Sequence, residues 1–140
     1  MPRVKINEPS IYVFSTRIQV RVSDLNYGNH LGNERVLAFA QEARLHFFAQ
    51  YGMSELDFWG TSLIQGDAAL TYANEGFLHD MIQVEIGVDD ISNSSYDLIY
   101  KMTNETTGKP LAMVKTRMVC FDYSDRKVQN VPSDFISLFK

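Results

Sequence analysis

The sequence has little cysteine, no excess of basic residues and no long apolar run, and each absence excludes a class of protein. Cys120 is the single cysteine among 140 residues, so no disulfide can form within the chain, and its apolar neighbours are typical of a buried thiol. The formal charge of −4 argues against a nucleic-acid partner, since proteins that bind nucleic acid usually present a basic face. No stretch approaches the ~18 apolar residues of a membrane span.

The same absences predict the compartment of the protein and indicate that it uses neither a metal nor a cofactor. Residues 1–10 lack the apolar core of a secretion signal, and a lone thiol fits a reducing compartment, so we expect a cytoplasmic protein. The length fits one domain, 1–140, with a core of its own. The three histidines, His30, His46 and His79, have no metal-ligand spacing. No glycine-rich loop for phosphates or dinucleotides occurs, so we expect neither a metal nor a cofactor.

A strand, a long helix and then four strands follow one another along the chain. Apolar residues alternate with polar ones up to Val22, which predicts a half-buried strand over 11–22. Helical spacing predicts a helix over 34–51, ended by Gly52 in a left-handed cap. Further strands are predicted over 61–72 (with a bulge at Gly66), 83–89, 96–102 and 111–121, followed by a short helix after Pro132. This order predicts an α+β fold whose curved antiparallel sheet covers one central helix. Its open edges favour pairing into a dimer or a dimer of dimers.

Polar residues able to do chemistry are concentrated immediately before the long helix. Asp24, Asn26, Asn29, His30 and Asn33 fall within ten positions, and the glycines between them, Gly28 and Gly32, make the backbone adaptable. Asp24 and Asn26 keep the parity of the apolar strand residues, which predicts that both point inward if strand geometry continues.

Three segments carry a resemblance to a known family: Val20-Arg-Val-Ser-Asp-Leu-Asn26, His30-Leu-Gly-Asn33 and Phe39-Ala-Gln-Glu-Ala-Arg44. In their order and spacing, the chain from about 17 to 135 resembles the hotdog-fold acyl-CoA thioesterases, in the branch of the 4-hydroxybenzoyl-CoA thioesterases. The resemblance implies a hotdog fold, hydrolysis of an acyl-CoA or acyl-carrier thioester to free acid and thiol, and a homodimer or homotetramer. It also implies an active site at a subunit interface, at the N-terminus of the central helix.

The start of the helix suits that chemistry. Helix N-termini present unpaired amides and a partial positive charge, which stabilise the oxyanion formed when a thioester carbonyl is attacked. The amides of Gly32 and Asn33 are the candidates for this role. The alternative for Asn33 is a plain helix N-cap. Tyr72 is expected to form part of the pocket wall or to anchor a strand end.

One position departs from the family pattern. Asn26 stands where this branch usually carries an aspartate, and an asparagine amide is neither a carboxylate nucleophile nor a useful base. Three replacements are open: Asp24 as the carboxylate; His30 as the base, as in the plant acyl-carrier-protein thioesterases that its segment resembles; or Gln41 and Glu42 from within the helix. We favour His30, because imidazole accepts protons near neutral pH, with Asp24 or Asn26 orienting it or the water.

Two other functions remain open at this point. Asp24-x-Asn26 followed by His30 is similar to the Asp-x-Asn-x-x-His pattern of hotdog hydratases and dehydratases, but has one residue too many before the histidine. Asn26 itself is compatible with a hotdog module that binds acyl thioesters without catalysis. The acyl group, the choice between coenzyme A and a carrier protein, and the choice between dimer and tetramer are not determined by the sequence.

Overall fold

The computed structural model describes residues 4–140. The predicted domain, 1–140, and the prediction about residues 1–10 both include residues 1–3, which lie outside the described residues. The chain forms, in order, β1 (Phe14–Gln19), α1 (Asn33–Ala49), β2 (Ser62–Tyr72), β3 (Met81–Asp89), β4 (Ser95–Asn104), β5 (Lys109–Asp122), β6 (Lys127–Val128) and α2 (Ser133–Phe139). Apart from the two-residue β6, each of these elements was predicted.

The strands form one antiparallel sheet in the order β1-β3-β4-β5-β2, and β6 pairs with the end of β5. Helix α1 packs on one face of this sheet. Its buried side chains, which include Phe39, Ala40, Ala43 and Phe47, join alternate residues of every long strand in a single core. The predicted α+β architecture of one sheet around one long helix is therefore confirmed.

Strand β2 lies at one edge of the sheet. It pairs with β5 along ten positions, and the register shifts between Gln65 and Asp67, which confirms the bulge predicted at Gly66. Within residues 4–140 no strand pairs with the other side of β2. An eleven-residue strand with one open side is a template for a further strand.

The first strand differs from the prediction at both ends. β1 covers only 14–19, and Val22–Asp24 form a 3₁₀ turn in which the Asp24 amide donates to the Arg21 carbonyl at 2.9 Å. Because this turn ends the two-residue alternation, Val22 is 72% exposed and Asp24 is fully buried. The prediction that Val22 faces the core is wrong, and Asp24 points inward because of the turn and not because of strand parity.

The ends of α1 also shift slightly. Gly32 is the N-cap and Asn33 is the first helical residue. The alternative that Asn33 is the N-cap of the helix is therefore wrong. The helix stops at Ala49, two residues before the predicted end, and the amide of Gly52 donates to the Ala49 carbonyl at 2.9 Å. Gly52 has a φ of 70°, which confirms its left-handed conformation. None of the helices among residues 4–140 has the length and apolarity to cross a membrane.

Candidate active site

A cavity of about 340 Å³ opens beside the start of α1. Its walls come from the loop before the helix, the first turn of the helix, the end of β2 and the connection after β2; they include His30, Leu31, Asn33, Val36, Tyr72 and Gly76. Two backbone hydrogen bonds hold the loop against that connection: the Leu31 amide donates to the Gly76 carbonyl at 2.7 Å, and the His79 amide to the Val20 carbonyl at 2.9 Å. The fold thus brings His30, Asn33 and Tyr72 to one cavity.

The amide of Asn33 has no hydrogen-bond acceptor among the described residues. As the first residue of α1, Asn33 has no partner for this amide within the helix. The amide of Gly32, the other candidate for the oxyanion, already donates to the Asp24 carbonyl at 3.0 Å. The Tyr72 hydroxyl donates to the Asn33 carbonyl at 3.3 Å, which ties the end of β2 to the first turn of the helix. Asn33 is therefore the better placed donor of the two.

Asn26 and His30 border the same small space above Gly28. Asn26 Oδ1 accepts a hydrogen bond from the Gly28 amide at 2.8 Å. His30 Nδ1 lies 3.1 Å from the Leu31 carbonyl oxygen; since a carbonyl can only accept, Nδ1 carries the hydrogen and Nε2 of the neutral ring is free to accept. A Cβ built on Gly28 would lie 3.3 Å from Asn26 Oδ1 and 3.4 Å from His30 Nε2. A water placed over this glycine would lie near two acceptors. Asn26 and Gly28 line neither of the two cavities beside the first turn of α1, so His30 is the residue that connects this space to the smaller cavity.

Asp24 is fully buried, and its carboxylate accepts hydrogen bonds from the loop and from the helix. Its Oδ2 accepts from the Arg21 amide at 2.9 Å and its Oδ1 from Arg35 Nε at 3.1 Å; Arg35 Nη2 also lies 3.1 Å from Oδ1 in the same ion pair. These contacts hold the loop to the first turn of α1, and Asp24 lines neither of the two cavities beside that turn. The geometry makes Asp24 a residue that positions its neighbours.

The carboxylate predicted from within the helix lies elsewhere. Glu42 Oε2 is 3.7 Å from His46 Nε2 along the outer stripe of α1, and His46 Nδ1 is 2.9 Å from Thr16 Oγ1 on β1. Glu42 lines neither cavity beside the first turn, whereas Gln41 lines the larger one. Helical spacing therefore separates Glu42 from His30.

A second cavity, of about 480 Å³, lies on the neighbouring stripe of α1, between the helix and the bulged edge strand β2. Arg44, only 4% exposed, forms its floor. Its Nε donates to Glu55 Oε1 at 2.6 Å, and its Nη1 donates to the Tyr100 hydroxyl at 3.0 Å and to Gln65 Oε1 at 3.3 Å. Burial raises the pKa of Tyr100, so the phenol stays protonated and can donate to Thr116. Nothing in the helical pattern distinguished Arg44 from a solvent-exposed arginine.

Glu34 is the other residue at this site that the sequence did not single out. Its carboxylate folds back over Gly32 and lines the larger cavity. The signal was an acidic residue in the first turn of a helix two positions after a glycine, which usually indicates only a favourable interaction with the helix dipole. Among residues 4–140 no group of three or more His, Cys, Asp and Glu side chains has the arrangement of a metal site.

Known proteins share a family profile and a fold with this chain. A family profile described as the thioesterase-like superfamily matches residues 20–139, and no curated protein matches the sequence. The fold is similar to that of Slr0204, a 1,4-dihydroxy-2-naphthoyl-CoA thioesterase from Synechocystis, with 17% identity, a TM-score of 0.80 and coverage of 89% of this chain and 93% of that one. It is also similar to the putative thioesterase PA2801 from Pseudomonas aeruginosa (18% identity, TM-score 0.82, coverage 91% and 98%) and to the probable thioesterase YbaW from Escherichia coli (22% identity, TM-score 0.72, coverage 83% and 88%). These similarities confirm the predicted hotdog fold.

Proposed function

Because the chain belongs to the thioesterase-like superfamily, we propose that it hydrolyses an acyl-CoA or acyl-carrier thioester to the free acid and the thiol. The observation that carries this proposal is that Asn33, whose amide has no acceptor among the described residues, lines the same cavity as His30. An amide at a helix N-terminus can hold a developing oxyanion, and removing one such donor typically costs about 3 kcal/mol of transition-state stabilisation. The structural neighbour Slr0204 is named for hydrolysis of a coenzyme A thioester, which supports the coenzyme A form of the substrate.

The proposed reaction uses a water held above Gly28. His30 Nε2 accepts a proton from this water while Asn26 Oδ1 accepts its second hydrogen bond, and the water oxygen attacks the thioester carbonyl carbon. The carbonyl oxygen becomes an oxyanion that accepts from the Asn33 amide. Its collapse breaks the C–S bond, and the imidazolium returns the proton to the departing thiolate. General-base catalysis of this kind contributes typically about 10²–10⁴-fold.

The remaining candidates have supporting roles in this proposal. Asp24 and Arg35 fix the loop that carries His30, and Tyr72, through its contact with the Asn33 carbonyl, shapes the cavity wall. Gly32 contributes space at the helix N-terminus. Contact of Glu42 with substrate would require an acyl group or a second subunit that reaches the outer stripe of α1.

A homodimer formed through β2, or a tetramer made of two such dimers, belongs to the same proposal. The open side of β2 and the larger cavity beside it are adjacent in each subunit, so a second copy paired along this edge would close the cavity. We also propose that the protein works in the cytoplasm, where coenzyme A thioesters are made and a single free thiol stays reduced.

Thiol release from a panel of aromatic, short-chain and medium-chain acyl-CoA substrates, followed with a chromogenic thiol reagent, tests the reaction. We expect clear turnover of at least one thioester and a loss of about a hundredfold or more in His30→Ala, since that variant lacks the base. Asn26→Asp should raise the rate, because it supplies a carboxylate beside the same water. His79→Asn is the matched histidine control; His79 is exposed, has a φ of 70° that asparagine tolerates, and lines neither cavity.

Absence of thiol release from folded protein across the whole panel would contradict hydrolysis. Water addition to an enoyl thioester would then identify a hydratase, and tight thioester binding without either reaction would identify a binding module. Activity of His30→Ala close to the wild-type value would remove His30 from the mechanism.

A further inference from the structure

The carboxylate of Glu34 lies directly over Gly32, at the start of α1. A Cβ built on Gly32 would be 2.5 Å from Glu34 Oε1 and 2.9 Å from Oε2, so no residue with a side chain could occupy this position without displacing the carboxylate. Gly32 has a φ of −67° and a ψ of 144°, which any residue adopts. The glycine therefore provides room for the Glu34 carboxylate and is not required by the backbone conformation.

This position puts a negative charge close to the amide of Asn33. Standard bond lengths place the carboxylate within about 7 Å of the Asn33 nitrogen. Glu34 is exposed and lines the larger cavity, whereas Asn33 and His30 line the smaller one, so the charge acts across the first turn of the helix. Among the described residues no lysine, arginine or histidine forms an ion pair with Glu34; its neighbour Arg35 pairs with Asp24 instead. A helix N-terminus with a free amide readily binds carboxylates and phosphates. Glu34 opposes such binding because it places a like charge beside the amide.

On the basis of the hydrolysis proposed above, we propose that Glu34 lets the site discriminate the neutral thioester group from the anionic acid that it releases. The reacting carbonyl of a thioester carries no charge, whereas the acid product is a carboxylate at neutral pH. Without Glu34, the product would fit the Asn33 amide better than the substrate does. With Glu34 present, the product is repelled from the place where it forms.

The same charge has much less effect on the reaction itself. When His30 takes the proton from water, imidazolium and oxyanion form together, so the net charge of the reacting groups stays at zero. Glu34 repels the oxyanion and attracts the imidazolium, and the two effects partly cancel. After the imidazolium proton has passed to the thiolate and the acid has lost its proton to solvent, the carboxylate remains alone with one uncompensated negative charge. Glu34 therefore acts mainly on the product.

Glu34→Gln tests this role, because it keeps the shape of the side chain and removes the charge. The affinity for the acid released from the best thioester of the panel is measured by NMR titration, with the primary amide of the same acid as an uncharged control ligand. If no thioester is hydrolysed, benzoate and benzamide are used. We expect the acid to bind Glu34→Gln about tenfold more tightly than wild type in 0.15 M salt, and the difference to grow as salt is lowered. Binding of the amide should change less than twofold.

Two further variants separate charge at this position from other effects. Glu34→Asp keeps a negative charge at the helix N-terminus and should bind the acid within about threefold of wild type. Asp134→Asn removes one negative charge from the first turn of α2, away from the site, and should leave acid binding unchanged. Turnover of the thioester by Glu34→Gln should stay within about threefold of wild type, with stronger inhibition by its own product.

Other outcomes overturn the proposal. Equal acid affinity of Glu34→Gln and wild type, or no detectable acid binding by either protein, would show that the charge of Glu34 does not weaken binding of the acid. A large loss of turnover in Glu34→Gln without tighter acid binding would make Glu34 a proton acceptor. Failure of the proposed hydrolysis is recognised separately, since it appears as absent thiol release from wild type, while the binding measurement needs no turnover.

Discussion

Gly28 and Gly32 are glycines for a different reason from Gly52. Gly52 has a φ of 70° at the end of α1, where a side chain would strain the backbone. Gly28 and Gly32 have no such φ; at both positions the missing side chain leaves space beside polar groups of the proposed site. At Gly28 these groups are Asn26 Oδ1 and His30 Nε2. At the residue scale, the site is shaped as much by absent side chains as by those present.

Gly28→Ala should therefore impair catalysis without impairing folding. The added methyl group would lie 3.3 Å from Asn26 Oδ1 and 3.4 Å from His30 Nε2, where it would exclude the water that the proposed reaction places there. We expect kcat to fall about tenfold or more, KM to change little, and the free energy of unfolding to change by less than about 1 kcal/mol. Steady-state kinetics and urea unfolding measure these quantities. Asn29→Gly, which alters the same loop without filling the space, should retain activity; equal losses in both variants would indicate loop disruption only.

At the scale of the element, α1 is attached to the sheet by a polar network as well as by its apolar face. Arg44 connects the middle of the helix to Glu55 in the following connection, to Gln65 on β2 and to Tyr100 on β4. A buried charge without its partners is costly, so this network fixes the rotation of α1 about its axis. The same rotation determines which stripe of the helix faces each cavity.

Arg44→Met should destabilise the fold even though methionine is a good helix former of similar length. The change leaves Glu55 and the Tyr100 hydroxyl without their donor, and we expect the free energy of unfolding to fall by about 2–3 kcal/mol. Glu55→Gln should cost less, because the Glu55 side chain reaches solvent. In urea unfolding, the double variant should lose less than the sum of the two single variants. Simple additivity would mean that the two side chains are not coupled.

The sequence predicted elements better than it predicted contacts. Two-residue alternation found β3 and its neighbours, and helical spacing found α1, because one face of each element is buried against a common core. The 3₁₀ turn at Val22–Asp24 carries no periodic signal, so the exposure of Val22 was not predictable from alternation, and Asp24 is buried for a different reason from the one predicted. The network of Arg44 and the placement of Glu34 depend on which side chains from distant segments meet at the helix. Such contacts are set by tertiary packing and leave no local pattern.

On the scale of the whole molecule, the sheet has two edges of different character. β1 is short, six residues, whereas β2 has eleven residues and an exposed central part at 65–68. Long unprotected edges promote association, and two-fold pairing of identical strands is the simplest way to satisfy their backbone groups. We therefore place the proposed subunit contact at β2.

Ala68→Lys should weaken this contact. Near the middle of β2, a two-fold axis would bring the two introduced charges close together, and like charges on facing strands repel. Light scattering after size-exclusion chromatography should show a dimer or tetramer for wild type and at least tenfold weaker association for the variant. Ser15→Lys, at an exposed position of β1, is the matched control and should associate like wild type. Dissociation caused by the β1 variant alone would assign the contact to the other edge.

The burial of Cys120 affects how the molecule can be observed. This thiol is fully buried in the core on β5, and burial raises its pKa to about 11, so it is neither accessible nor ionised while the sheet is intact. A thiol reagent in an assay of the proposed hydrolysis would therefore react with the thiol released from the substrate and not with the native protein. Without substrate, the same reagent measures global opening of the fold, because each molecule is labelled once after the centre of the sheet opens. Labelling proceeds at the opening rate when the reagent reacts faster than the sheet recloses.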